Sequence, residues 1–207
     1  MADPFTLTLS SPQRSSRKTG KPSTGSVKKT EKTTYPVSDP FVAKARKMMA
    51  KYGEPVETLL NIIAVETGGT FQPSAENRFG TAVGLIQFTQ DTCEKLGTTY
   101  DEMKKRSAIQ QLDYVEKYFN MKFNNYLKRS GKKNLGKLRP IDFYAAVFCP
   151  FAIGQSPSYV MYDKNKNPGE YQRNKSMDTE KKIGKITLGE LYKRFQEHAK
   201  KYQKVSK

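Results

Sequence analysis

Val56-Glu57-Thr58-Leu59-Leu60-Asn61-Ile62-Ile63-Ala64-Val65-Glu66-Thr67-Gly68-Gly69 decides the fold. Pro55 starts a helix here, Val56, Leu59, Leu60 and Ile63 share one stripe, and two consecutive glycines forbid continuation. Glu66 therefore closes the helix. It falls three residues after Ile63 and seven after Leu59, which at 3.6 residues per turn places its carboxylate on the core-facing stripe. Desolvation there disfavours the charged form, and the negative end of the helix dipole pushes the same way, so both raise its pKa. Such a group holds a proton near neutral pH and can act as a general acid. Taken by itself, the position favours the plainer reading, a helix-end glutamate paired with a lysine, and the acid reading needs support from the neighbouring residues.

Upstream, Asp39-Pro40 followed by Phe41, Val42, Ala45, Met48, Met49 and Tyr52 before Gly53 marks an amphipathic helix at both ends. Downstream, Thr99 with Glu102, Ser107 with Gln110, and Thr187 with Glu190 have capping-box spacing, and the last two open long helices. Leu112, Val115, Phe119, Phe123 and Tyr126 line one of these; Leu188, Leu191, Tyr192, Phe195, Ala199 and Tyr202 line the other. Pro140 starts a further helix through Ala145 and Phe148. Helical periodicity recurs without a convincing alternating strand pair, so the fold class is mainly α. Residues 1 to 38 hold seven Ser, seven Thr, four Pro, seven basic and two acidic residues with no apolar periodicity. They read as a disordered basic tail, and residues 39 to 207 as one helical domain with a C-terminal extension.

A chain of 207 residues suits one core rather than separate cofactor and substrate halves. Lys and Arg number 37 against 20 Asp and Glu, a net +17, which points to a polyanionic partner: nucleic acid, an anionic lipid face or an anionic wall polymer. The single histidine, His198, excludes multi-histidine metal sites and disfavours a Ser-His-Asp or Cys-His triad, so chemistry rests on carboxylates. Cys93 and Cys149 lie in apolar helical segments and read as buried thiols. The longest near-apolar run, Phe143 to Ile153, has 11 residues, short of the roughly 20 a membrane helix needs. No basic-then-apolar leader opens the sequence, so a Sec signal peptide is not expected. Asp178 to Glu190 is reminiscent of a Ca²⁺ loop, but glycine falls seventh and a lysine takes a ligand position, so it reads as metal-free. No cofactor is expected. Lys128, Arg129, Lys132, Lys133, Lys137 and Arg139 form a basic cluster, a solvated loop first and a polyanion-facing edge second.

Glu66 to Pro73 is followed by Asn77-Arg78-Phe79-Gly80-Thr81-Ala82-Val83-Gly84-Leu85-Ile86-Gln87-Phe88 and then Thr92. This composite resembles the soluble lytic transglycosylase family of lysozyme-like folds. There a catalytic Glu-Ser at a helix end precedes an aromatic and a proline, a Ser or Asn, a Gly-Ala pair, and Gly-Leu-Met-Gln before a helix. The match covers Val65 to Thr92 well and Asp39 to about Tyr171 loosely. Thr67 replaces the usual Ser, one residue is added between Gly80 and Gly84, and Ala145-Ala146-Val147-Phe148 stands where the family has Ala-x-Asn.

The resemblance implies Glu66 as the catalytic residue and a substrate-binding role for Asn77, Gly84 and Gln87. Physically, Gly84 lets backbone approach a sugar ring, Gln87 can donate and accept to an acetamido group or glycosidic oxygen or else make a helix-entry hydrogen bond, and Asn77 suits either substrate contact or an Asx-turn. Tyr144, Tyr159, Tyr162 and Tyr171 could pack against pyranose faces, with Tyr144 and Tyr162 as the candidates. Tyr162 ends Ser156-Pro157-Ser158-Tyr159-Val160-Met161-Tyr162, which resembles the closing segment of phage-type members.

The implied reaction is cleavage of the β-1,4 bond between N-acetylmuramic acid and N-acetylglucosamine in peptidoglycan, with one Glu as acid and then base and a 1,6-anhydro product. A hydrolytic phage lysozyme is the close alternative and needs a second carboxylate, for which Glu76, Asp91 or Asp142 could serve. A non-catalytic basic virion or nucleic-acid-binding protein on the same scaffold is the alternative from another class. The implied partners are peptidoglycan glycan strands and, through the tail, phage virion proteins, with nucleic acid secondary. The implied setting is a phage virion or the host cytoplasm before lysis, with action on the cell wall.

Overall fold

Burial on nearly every side sets one helix at the centre of the structure. In a computed structural model that describes residues 33 to 178 and 183 to 205, helix α2, Val56–Glu66, buries Val56 and every residue from Thr58 to Val65. Helix α1, Asp39–Ala50, packs on it with Phe41, Ala45, Met48 and Met49 inward; Ser38 holds the N-cap position without a side-chain bond, and Asp39 and Pro40 form the first turn. The 23-residue helix α5, Ala108–Ser130, packs on α1. Helix α6, Pro140–Phe148, lies against both α2 and α5, and helix α8, Leu188–Tyr202, covers α2 from another side. Short helices α3, Gln90–Lys95, and α4, Tyr100–Lys105, join the site loop to α5, while α7, Pro168–Asn174, follows α6. The domain is mainly helical.

All three capping boxes form, at Thr99, Ser107 and Thr187, each hydroxyl accepting from the third helical N–H. The stripe of α5 is buried as its spacing requires; Phe143 meets Phe119, Phe123 and Tyr52 edge-on, and Tyr52 meets Phe123 likewise, at centroid distances of 5.1 to 5.7 Å, while Phe119 and Phe123 stack at 5.9 Å. Such pairs add to simple area burial.

Among the described residues there are also three two-stranded antiparallel pairs that periodicity does not reveal. They join β1 (Thr33–Thr34) to β6 (Lys204–Val205), β2 (Ala82–Val83) to β3 (Phe88–Thr89), and β4 (Val160–Asp163) to β5 (Lys185–Thr187). Strands of two to four residues are too short to show alternation.

The boundary at residue 38 is corrected as well. Tyr35 and Val37 pack against the core, so the packed chain reaches back beyond Asp39 at least to Tyr35. The rest of the tail reading, residues 1 to 32, and the centre of the Ca²⁺-loop reading, residues 179 to 182, lie outside the described residues. At that loop's edges Asp178 is buried and accepts from the Tyr171 hydroxyl (2.7 Å) and Gly184 N–H (2.9 Å), which ties α7 to β5. Among the described residues no helix is long and apolar enough to cross a membrane.

Candidate active site

The turn after α2 is built to stop the helix sharply. Thr67 donates its hydroxyl to Ile63 O (2.7 Å) and accepts from the Phe71 N–H (3.0 Å), while Gly68 and Gly69 take φ of 59° and 81°. Phe71 itself sits at φ 55°, a conformation rare outside glycine. Glu66 is the last helical residue, half-buried, and among the described residues its carboxyl has neither a cation nor a hydrogen-bond donor. The pairing with a lysine that its position allowed is thus not made.

Burial pushes the Glu66 pKa up to about 8. Glu66 keeps some surface, so the acid is largely stripped of water yet can still be approached. Tyr118, on α5, lies near enough that the Glu66 charge, after burial, helps raise its phenol pKa. The Tyr118 hydroxyl donates to Ala146 O at 2.8 Å, which links α5, α6 and the Glu66 environment.

The loop from Asn77 to Gln87 folds around internal bonds. Asn77 accepts from Thr81 N–H (2.8 Å) and donates to Thr81 Oγ1 (2.9 Å), the local-turn alternative of its two readings. Gly84, at φ 84°, is buried, and a Cβ there would lie 2.5 Å from Gln111 Oε1. The close approach it permits is to that amide. Gln111 is fully buried and accepts from Leu85 N–H (2.9 Å) while donating to Pro73 O (2.6 Å) and Met103 O (2.8 Å), so it knots the loop to α5.

Gln87, at φ 54°, donates to Ala75 O (3.1 Å) and Gly84 O (3.0 Å), and its Oε1 is buried with no partner. An orphaned buried acceptor costs free energy, about 1–3 kcal/mol, unless something fills it. Of the three loop candidates, only Gln87 shows an unused bonding atom.

The tyrosines separate. Tyr144 has no exposed surface and stacks on Phe148 at 5.9 Å within the core, so a sugar-facing role for it is corrected: its stripe position on α6 turns it inward. Tyr162 is half-buried on β4, edge-on to the exposed Phe151 at 6.5 Å, and burial pushes its pKa up to about 12. Tyr171 is buried and spent on Asp178.

The candidate second carboxylates are all engaged. Asp142 is buried and accepts from Arg139 Nε, from its NH2 nitrogen, from Arg139 N–H and from Gly154 N–H, all at 2.8 to 2.9 Å. Glu76 takes the Tyr100 hydroxyl (2.8 Å) and Lys104 Nζ (2.7 Å), which hold its pKa down. Asp91 is exposed and pairs with Lys95 at 2.6 Å.

A concavity of about 670 Å³ beside this loop is lined by Thr81, Asp91, Glu94 and Asp101 among others, and Glu66 does not line it. Within the basic cluster, Arg139 is committed to Asp142 and Lys132 donates to the Tyr126 hydroxyl at 2.8 Å. Cys93 and Cys149 are both buried free thiols. Among the described residues no three His, Cys, Asp or Glu gather as a metal site. Neither a protein-family model nor a curated protein matches the chain.

Proposed function

We propose that this protein is a lysozyme-like lytic transglycosylase that cleaves the β-1,4 bond between N-acetylmuramic acid and N-acetylglucosamine in peptidoglycan. The single observation that carries the reading is Glu66: a carboxyl at a helix end, without a counter-ion among the described residues and raised by burial to about 8. At neutral pH it carries a proton to give to the leaving glycosidic oxygen. The substrate's acetamido group then assists at the anomeric carbon as the bond breaks. The resulting Glu66 carboxylate takes the proton of the C6 hydroxyl, whose oxygen closes the 1,6-anhydro ring.

Three further features fit this reading. Asp142 is buried in its bonds to Arg139 and Gly154, while Glu76 and Asp91 hold surface ion pairs with Lys104 and Lys95; the mechanism proposed draws on none of them. The Gln87 Oε1 atom, buried without a donor, suits an N–H or O–H of a bound sugar. A net charge of +17 favours association with an anionic wall.

The test is turnover of purified peptidoglycan by wild type and Glu66→Gln. The amide is nearly isosteric but cannot give and retrieve a proton, so muropeptide release should fall by about 10²–10⁴-fold with the fold retained. A folded variant that keeps more than about a tenth of wild-type turnover removes Glu66 from the acid role.

A further inference from the structure

Two glycines in succession, one residue beyond Glu66, would ordinarily leave the helix end loose. Here the turn is gripped from behind by residues from both ends of the described chain. Tyr202, at the close of α8, lies flat enough on the turn that a Cβ at Gly69 would come within 2.5 Å of its ring. Tyr35 places its ring 5.5 Å from Phe71 and donates its hydroxyl to Asn61 Oδ1 at 2.6 Å. The same oxygen accepts from Gln203 Nε2 at 3.0 Å. Asn61 is fully buried on α2, five residues before Glu66. The backbones of β1 and β6 close the arrangement, with Thr33 opposite Val205 and Thr34 opposite Lys204.

We propose that Tyr35 and Tyr202 are positioning residues for Glu66: a clasp that holds the last turns of α2 and the turn after it, and so fixes where the carboxyl points. The proposal rests on the reading of Glu66 as the acid. The clasp grips α2 at Asn61, before Glu66, and the chain at Gly69 and Phe71, beyond it, so that the acid lies on a short span anchored at both ends. The left-handed backbone of Phe71 fits this picture, because a non-glycine residue holds that conformation only where its surroundings impose it. Opening the clasp frees the Gly68–Gly69 turn, admits water to the carboxyl and loses the orientation of the proton donor. The effect falls on the chemical step and not on substrate affinity, since neither tyrosine belongs to the Asn77–Gln87 loop.

The experiment combines two readouts on the full chain: kcat and KM on purified peptidoglycan, and a side-chain carboxyl NMR titration of Glu66. The variants are Tyr35→Ala, Tyr202→Ala and Tyr35→Phe. In the two alanine variants the Glu66 titration midpoint should move toward that of an ordinary glutamate by about one unit or more. Their kcat should fall about tenfold with KM within about twofold. Tyr35→Phe, which keeps the ring on Phe71 but loses the bond to Asn61, should fall between them and wild type.

An unchanged midpoint and kcat in folded alanine variants overturns the proposal. If the alanine variants do not melt cooperatively, Tyr35→Phe and Gln203→Ala decide by the same two readouts. A shifted midpoint in variants of a protein that releases no muropeptides keeps the clasp and sinks the transglycosylase reading, whereas normal cleavage with an unshifted midpoint does the reverse.

Discussion

Glu66 is the residue on which the proposed chemistry and the stability of the fold meet. Its pKa stands near 8 against an ordinary 4.5, raised by burial. If it is the acid, turnover should fall about tenfold between pH 7 and pH 9 as the proton is lost, and a pH–rate profile flat across that window would contradict it. The same shift has a stability consequence with a definite sign. A raised folded-state pKa stabilises the fold fully below pH 4.5, and that contribution is lost as pH rises through about 8. Glu66→Gln cannot ionise, so the melting temperature of wild type should drop relative to the variant between pH 5 and pH 9; parallel melting curves would show that the carboxyl is solvated. Glu66 was legible in the sequence because apolar spacing and two glycines fix both its face and its place at the helix end. Its neighbour Tyr118 was not, since it lies 52 residues on and only the packing of α5 beside α6 brings it there.

At the level of elements, α2 is the post on which the site stands. Leu59 is fully buried, and Leu59→Ala should cost about 2–5 kcal/mol in chemical denaturation. Gly84→Ala tests the loop: it adds a Cβ 2.5 Å from Gln111 Oε1 at a positive φ, so it should destabilise by at least about 1 kcal/mol and loosen the knot to α5. A variant as stable as wild type would show that the Gly84–Gln111 approach is not constraining. The helices were readable because each carries several turns of apolar spacing and, in three cases, a side-chain capping box. The strand pairs were not, being two to four residues long and fixed by partners far along the chain. Gln111 left one faint signal, a polar side chain four residues before Val115 on the buried stripe of α5; that its amide holds the loop was not legible, because Pro73 lies 38 residues away.

Across the whole molecule, the boundary of the fold and the charge of the tail separate cleanly. Removal of residues 1 to 32 takes away seven basic and two acidic residues while Tyr35 stays in place, whereas removal of residues 1 to 38 also takes Tyr35 and Val37 from the core. The shorter deletion should melt like wild type and bind polyanions with weaker salt dependence; the longer one should melt at a lower temperature. Equal melting temperatures would put Tyr35 outside the cooperative unit. The low apolar content of the tail was plain in the sequence, but one tyrosine and one valine at its end could not announce a core that is formed by α2 and α8. In the proposed mechanism one carboxylate both cleaves the glycan and closes the new sugar ring. Mass spectrometry of the earliest fragments from purified peptidoglycan tests this most directly: muropeptides ending in 1,6-anhydro-N-acetylmuramic acid, one water lighter than hydrolysis products, are predicted, and reducing-end sugars from the first time points would contradict it.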